Sequence, residues 1–142
     1  MQLSDAQVAF LQDHHAAAMI TIRKDGMPGP VRVGVAIVDG RLWSSGTQRR
    51  ARTARLRRDP RCSLFFFDPG YRWLGIEASV AILDGPDADE QNLQLFRVMQ
   101  GRPTGQLTWF GDQLDESAFL VAMRDEQRLI YEFDVQRAYG MV

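Results

Sequence analysis

Val31 to Thr47 reads VRVGVAIVDGRLWSSGT, and this stretch decides the fold. Val31, Val33, Val35 and Ile37 alternate with Arg32, Gly34 and Ala36, the two-residue period of a strand that buries one face. Asp39-Gly40 supplies the residue types that a two-residue hairpin turn demands, because both of its central positions take positive φ. Leu42 and Trp43 then open a strand that runs into Ser44-Ser45-Gly46-Thr47. Upstream, Ala18 to Arg23 leads into the turn triplet Lys24-Asp25-Gly26, so three antiparallel strands are expected to follow one another directly.

Working outward, Cys62 to Asp68 contains three consecutive phenylalanines and reads as a strand buried on both faces or lying on a dimer seam. Pro69-Gly70 breaks the chain. From Trp73 to Leu83 the residues Leu74, Ile76, Ala78, Val80 and Ile82 alternate with Gly75, Glu77, Ser79 and Ala81, a long half-buried strand. Leu129, Tyr131, Phe133 and Val135 mark the last strand, which ends at Tyr139-Gly140.

Short helices fall between these strands. Ser4 with Gln7 forms a capping box that opens a helix ending at His14 and His15. Arg49 to Arg58 has helix formers and no Gly or Pro before Pro60. Asp87 with Glu90 signals a second capping box, for a helix that stops at Gly101. Arg102 to Asp112 reads as a loop carrying an exposed Trp109-Phe110 pair, and a further helix spans Asp115 to about Arg124. Six strands in mostly direct succession predict a mainly β, α+β fold: a six-stranded antiparallel barrel, closed or partly closed, with short helices. The 142 residues fit one domain over 1–142.

Composition excludes several classes. No stretch approaches the roughly 20 apolar residues that a bilayer-spanning helix needs, and Met1 to Phe10 lacks the layout of a secretion signal. A lone cysteine, Cys62, cannot pair within the chain and suits a reducing, cytoplasmic compartment. Neither a G-x-G-x-x-G after a strand nor a Walker-type lysine loop is present. His14 and His15 diverge on a helix and have no third ligand nearby in sequence, so a solvated pair that complements the helix dipole is expected and no metal site.

Net charge is −1, yet the distribution is uneven. Arg49, Arg50, Arg52, Arg55, Arg57, Arg58 and Arg61 fall within 13 residues that hold one acid, Asp59, for a local net of +6. A net acidic remainder without an RNP-type or helix-turn-helix pattern gives little support to nucleic-acid binding. Guanidinium groups match phosphate bidentately, and a helix start adds unpaired N–H groups and a positive dipole end. Arg49, Arg50 and Arg52 at the strand-to-helix junction after Gly46-Thr47 are therefore candidate phosphate ligands, against the alternative of a solvated basic face. Arg57, Arg58 and Arg61 are expected to face water or pair with acids.

The run GTQRRARTARLRRDPRCSL (46–64), preceded by KDGMPGPVRVGVAI (24–37) and followed by YRWLGIEASVAILDG (71–85), resembles the pyridoxamine 5′-phosphate oxidase-like split-barrel flavoproteins. The likeness is closest to their deazaflavin branch, the coenzyme F420-dependent reductases, and AMRDEQRLIYEFDVQRAYG (122–140) extends it to the end of the chain. The resemblance implies an antiparallel split β-barrel and a homodimer with cofactors in a groove between subunits. It also implies hydride transfer from reduced F420 to an unsaturated, conjugated small molecule, with an FMN-binding flavoprotein or a non-catalytic flavin-binding protein as alternatives. Carried over by position, Arg52 stands at the phosphate ligand, Arg50 at the basic position before it, and Arg55 where relatives often have asparagine. Ser45, Gly46 and Thr47 stand at the strand end facing the ring system, Thr53 beside them, and Arg32 at an inward polar position of the second strand. Trp73, Trp109 and Phe110 are candidate walls of the groove. The cofactor carries the chemistry, so no catalytic triad is implied.

Overall fold

The computed structural model describes residues 2–142. In chain order it has α1 (Asp5–Asp13), β1 (Ala16–Ile22), β2 (Pro28–Val38), β3 (Arg41–Thr47), α2 (Ala51–Arg58), β4 (Arg61–Phe67) and β5 (Trp73–Leu83). There follow α3 (Ala88–Gln100), β6 (Leu107–Trp109), β7 (Asp112–Leu114), α4 (Glu116–Asp125) and β8 (Arg128–Met141). Six strands close into an antiparallel barrel in the order β1-β2-β3-β8-β5-β4, while β6 and β7 form a separate hairpin. The fold is thus the six-stranded antiparallel barrel with short helices that the alternating pattern predicts, and Asp39 (φ 48°) and Gly40 (φ 77°) make the expected turn.

Period-two alternation sets what fills the barrel. Met19, Val33, Val35, Leu42, Leu64, Phe66, Leu74, Ile76, Leu129, Tyr131 and Phe133 share one core, with Phe10 and Leu11 of α1 and Leu56 of α2 packed into it. Outside, α3 covers β2, β3 and β8 by setting Leu95 and Met99 against Ala36, Val38, Trp43 and Ile130. Leu93, Leu107, Phe119 and Met123 tie α3 to the hairpin and α4. The outer face of β1, β4 and β5 carries no helix, and register aligns Arg32, Ala18, Phe65, Gly75 and Tyr139 in one row across it.

Four local expectations need correction. β4 is not buried on both faces: Cys62, Leu64 and Phe66 point into the core, whereas Phe65 and Phe67 are exposed, Phe67 at 64%. Asp87 does not cap α3, because its backbone is already helical (φ −89°, ψ 0°) and its side chain makes no cap bond. Residues 102–112 are not all loop, since Phe110 (φ 48°) and Gly111 (φ 86°) turn the β6-β7 hairpin. The two histidines are bonded rather than solvated: His14 Nδ1 lies 2.8 Å from the Phe10 carbonyl and His15 Nδ1 3.0 Å from that of Val35.

Ser4 does form both halves of its capping box, and Asp115 caps α4 through the Ala118 amide at 2.8 Å. Asp115→Ala should therefore cost about 1 kcal/mol in denaturant unfolding, the usual worth of a side-chain cap. Asp87→Ala, which removes no bond to α3, should fall within about 0.5 kcal/mol of the parent. Equal losses at the two positions would contradict this assignment of caps. Cys62 is a second point of test. Burial pushes its thiol up to about 12, so the folded protein should resist alkylation at pH 8 and react only on unfolding.

Candidate functional site

The site is built at the mouth of the barrel where β3 gives way to α2. Arg50 is the N-cap of α2 and makes no side-chain cap bond, so the first-turn amides have no side-chain acceptor. Pro60 forces Asp59 to extended geometry and ends the helix after two turns. Thr53 and Leu56 are the buried residues of α2, which turns Arg52 and Arg55 toward the barrel margin, both half-buried, and leaves Arg49, Arg50, Arg57 and Arg58 exposed.

The seven arginines divide by partner as they do by position. Arg57 pairs with Asp84 at 3.0 Å, Arg61 with Asp59 at 2.8 Å, and Arg58 donates to the Ile22 carbonyl at 2.7 Å. Among the described residues, no acid or carbonyl is bonded to the side chains of Arg49, Arg50 or Arg55. Arg52 reaches the Ser45 carbonyl at 3.5 Å and lies against Tyr131, and among the described residues its buried Nε has no hydrogen-bond partner. Burial lowers the Arg52 pKa from its ordinary value; the neighbouring Tyr131 hydroxyl opposes the shift, and the like charges of Arg50 and Arg128 add to it. A half-buried cation with an unsatisfied N–H and like-charged neighbours is stabilised by an arriving anion. The residues present thus fit a phosphate group at this junction.

Neighbouring side chains hold the junction in shape. Thr53 Oγ1 donates to the Thr47 carbonyl at 2.6 Å and is also bonded to the Tyr131 hydroxyl. Ser45 points away from the lumen, and its hydroxyl donates to Asn92 Oδ1 of α3 at 2.5 Å. Asn92 is fully buried and donates in turn to the Ala88 carbonyl at 2.9 Å. Arg128, with its side chain only 8% exposed, bonds Glu126 at 2.8 Å and lies over the Trp109 ring at 4.9 Å. A pocket of about 540 Å³ opens beside this network, lined by Thr47, Arg49, Arg50, Phe110, Glu126 and Arg128 among others.

Ser45, Gly46, Thr47, Arg50, Arg52 and Thr53 therefore come together. Arg55 follows Arg52 by one turn of α2, and its guanidinium sits beside Gly29 of β2 rather than at the junction: a Cβ on Gly29 would lie 2.6 Å from Nη1. Arg32 is not inward. It has the outward parity of Gly34 and Ala36, opposite the core-facing Val31, Val33 and Val35, and is exposed. Trp73 is not brought to the arginines within one chain either. It opens β5, and the other end of that strand, Leu83, is paired to Ile130 next to Ser45, so ten residues of strand, about 33 Å, intervene. Of the other two aromatic candidates, Trp109 is a prop, donating to Glu126 at 2.9 Å and packing edge-on against Phe96 and Phe119, whereas Phe110 is 79% exposed.

Sequence reasoning missed Asn92, Glu126, Arg128 and Tyr131 as site residues. Only Asn92 carried a readable signal: it stands at i+4 from Ala88 and i−3 from Leu95, on the apolar stripe of α3, where a polar side chain must find a buried partner. Among the described residues, no group of three or more His, Cys, Asp or Glu could hold a metal ion. No helix is long and apolar enough to cross a membrane.

The family model described as pyridoxamine 5′-phosphate oxidase matches residues 3–140, and the chain belongs to that family. A conserved hypothetical protein, Rv2991 of Mycobacterium tuberculosis, superposes with a TM-score of 0.74 at 22% identity, over 99% of this chain and 86% of its own. A structure titled F420 reductase gives 0.72 at 18% identity, over 96% of this chain and 98% of its own. HutZ, described as a heme storage protein from Vibrio cholerae, gives 0.67 at 13% identity, over 99% of this chain and 95% of its own. At these identities the likeness establishes the shared fold. No protein of curated function matches the chain.

Proposed function

We propose that this chain is an F420-dependent oxidoreductase that binds the reduced deazaflavin and passes its hydride to an unsaturated, conjugated small molecule. The observation that carries the reading is the partition of the arginine cluster. Among the described residues Arg49, Arg50, Arg52 and Arg55 have no acid partner, whereas Arg57 and Arg61 do and Arg58 is taken by a carbonyl. Three guanidiniums without an acid partner at the junction, Arg49, Arg50 and Arg52, exceed what one phosphate dianion requires, which favours a cofactor with further anionic groups over FMN. The structural neighbour titled F420 reductase is consistent with this choice. A bound deazaflavin would supply the hydride. The chain's part is to grip the phosphate with Arg50 and Arg52 and to present the Ser45–Thr47 backbone to the rings.

A second copy of the chain is part of the reading. The uncovered face of β4 and β5 exposes Phe65, Phe67, Tyr71, Tyr139 and Met141, an apolar cluster of the kind a two-fold interface covers. It would bring Arg32 and Trp73 of one protomer toward the site of the other, in keeping with a cytoplasmic homodimer. Light scattering should give twice the chain mass, and Phe67→Arg should shift it toward the monomer. The decisive measurement is a parallel titration of the purified protein with F420 and FMN, followed by assay of F420H2 consumption with quinone and pyrrole-pigment acceptors. Tighter binding of F420 with turnover is expected. Preference for FMN would move the assignment to the flavin alternative, binding without turnover to a storage or sensing role, and no binding of either would sink it.

A further inference from the structure

Tyr131 is fully buried in the barrel, yet its hydroxyl reaches out of the apolar core. Thr53 Oγ1 spends its one proton on the Thr47 carbonyl, so the Tyr131 O–H is the donor in the bond between the two hydroxyls. The same phenol lies against Gly46 so closely that a Cβ there would overlap its ring carbon and oxygen. The Arg52 guanidinium carbon stands 5.7 Å from the centre of the Tyr131 ring. One side chain thus touches the end of β3, the first turn of α2 and the guanidinium assigned to phosphate. Arg52 has little else to hold it, only a 3.5 Å approach to the Ser45 carbonyl. A long side chain left free would lose rotamer entropy each time it closed on a ligand.

We propose that Tyr131, acting through Thr53, is a positioning residue that sets Arg52 and the first turn of α2 for a ligand's phosphate before the ligand arrives. The inference rests on the phosphate site proposed above and concerns what preorganises it. It separates phosphate recognition from ring recognition: loss of the hydroxyl pair weakens the grip on a phosphate and leaves the ring contacts alone.

The test uses the full chain and ligands in matched pairs: FMN with riboflavin, and F420 with the deazaflavin that lacks the phosphate-bearing tail. Tyr131→Phe and Thr53→Val should each weaken the phosphate-bearing member roughly three- to tenfold, the scale of one hydrogen bond, and leave the phosphate-free member unchanged. Thr53→Ser, which keeps the hydroxyl, should restore most of the affinity. The double variant should be hardly worse than Thr53→Val alone, because that change already removes the bond to Tyr131 along with the one to the Thr47 carbonyl. Equal losses for both members of a pair would reduce Tyr131 to a structural role and overturn the proposal, as would unchanged affinity for all four ligands. Failure of the phosphate site itself looks different: the unaltered protein would then bind FMN no better than riboflavin and F420 no better than its phosphate-free counterpart, and both readings would fall together.

Discussion

With Arg50 and Arg52 both replaced by alanine, the protein should lose about a hundredfold or more of its affinity for a phosphorylated flavin. A hydrogen bond to a charged group is worth about 1.5–3 kcal/mol, and one such bond is expected from each guanidinium. Arg50 lies close enough for its charge to act on Arg52, so the sum is discounted for coupling. A remainder of at least about 3 kcal/mol corresponds to the hundredfold loss. The single change Arg52→Ala should account for most of it, because Arg52 is the half-buried member with an unsatisfied Nε. Arg58→Ala is the control. Its guanidinium is taken by the Ile22 carbonyl at 2.7 Å, at the helix end away from the junction, and the dissociation constant should barely move. Thermal stability should hold in the double variant, since the Arg50 side chain makes no bond and Arg52 makes only one long one. Fluorescence titration measures all three variants, and a dissociation constant unaffected by the double change removes the site.

The barrel was legible because period-two alternation is a local property: each strand declares its buried face without knowledge of its neighbours. Strand order was not, and β8 returning between β3 and β5 is set by which apolar faces close the core rather than by any turn between them. The same distinction runs through the site. The junction of β3 and α2 could be read from residues 46–52 because its parts are consecutive in sequence. Tyr131 and Arg128 reach that junction from the last strand, and on the page they look like one more core aromatic and one more surface arginine. Arg32 was misplaced for a related reason. It lies in the polar phase of β2, and a family position carried over by alignment does not override the parity that Val31 and Val33 impose. Asp87 shows the limit of capping signals. Spacing to Glu90 was right, but the backbone entering from Pro86 was already helical, so the carboxylate had no cap position to occupy.

Gly46→Ala should destabilise the fold by about 1–3 kcal/mol, the cost of overpacking a site that cannot relax. The added methyl would overlap Cζ and the hydroxyl oxygen of Tyr131, a ring that is fully buried and tied to Thr53. Neither side can yield cheaply. The Gly46 backbone is held by its pairing to Leu129 in the β3-β8 ladder, with Thr47 paired beyond it, and moving the ring breaks its bond to Thr53. For a chain of this size the melting temperature should fall on the order of 5–10 °C. Gly75→Ala provides the contrast: its Cβ would meet the Tyr139 ring at 2.8 Å, but Tyr139 is 39% exposed and can swing toward solvent, so the loss should stay below about 1 kcal/mol. If Tyr131 holds Thr53 and Arg52 for phosphate as argued, Gly46→Ala should also weaken FMN or F420 at temperatures where the variant is still folded, because the displaced phenol releases both together. A variant that melts like the parent would mean that the Tyr131 ring has room to move, and the rigidity assigned to this junction would then be wrong.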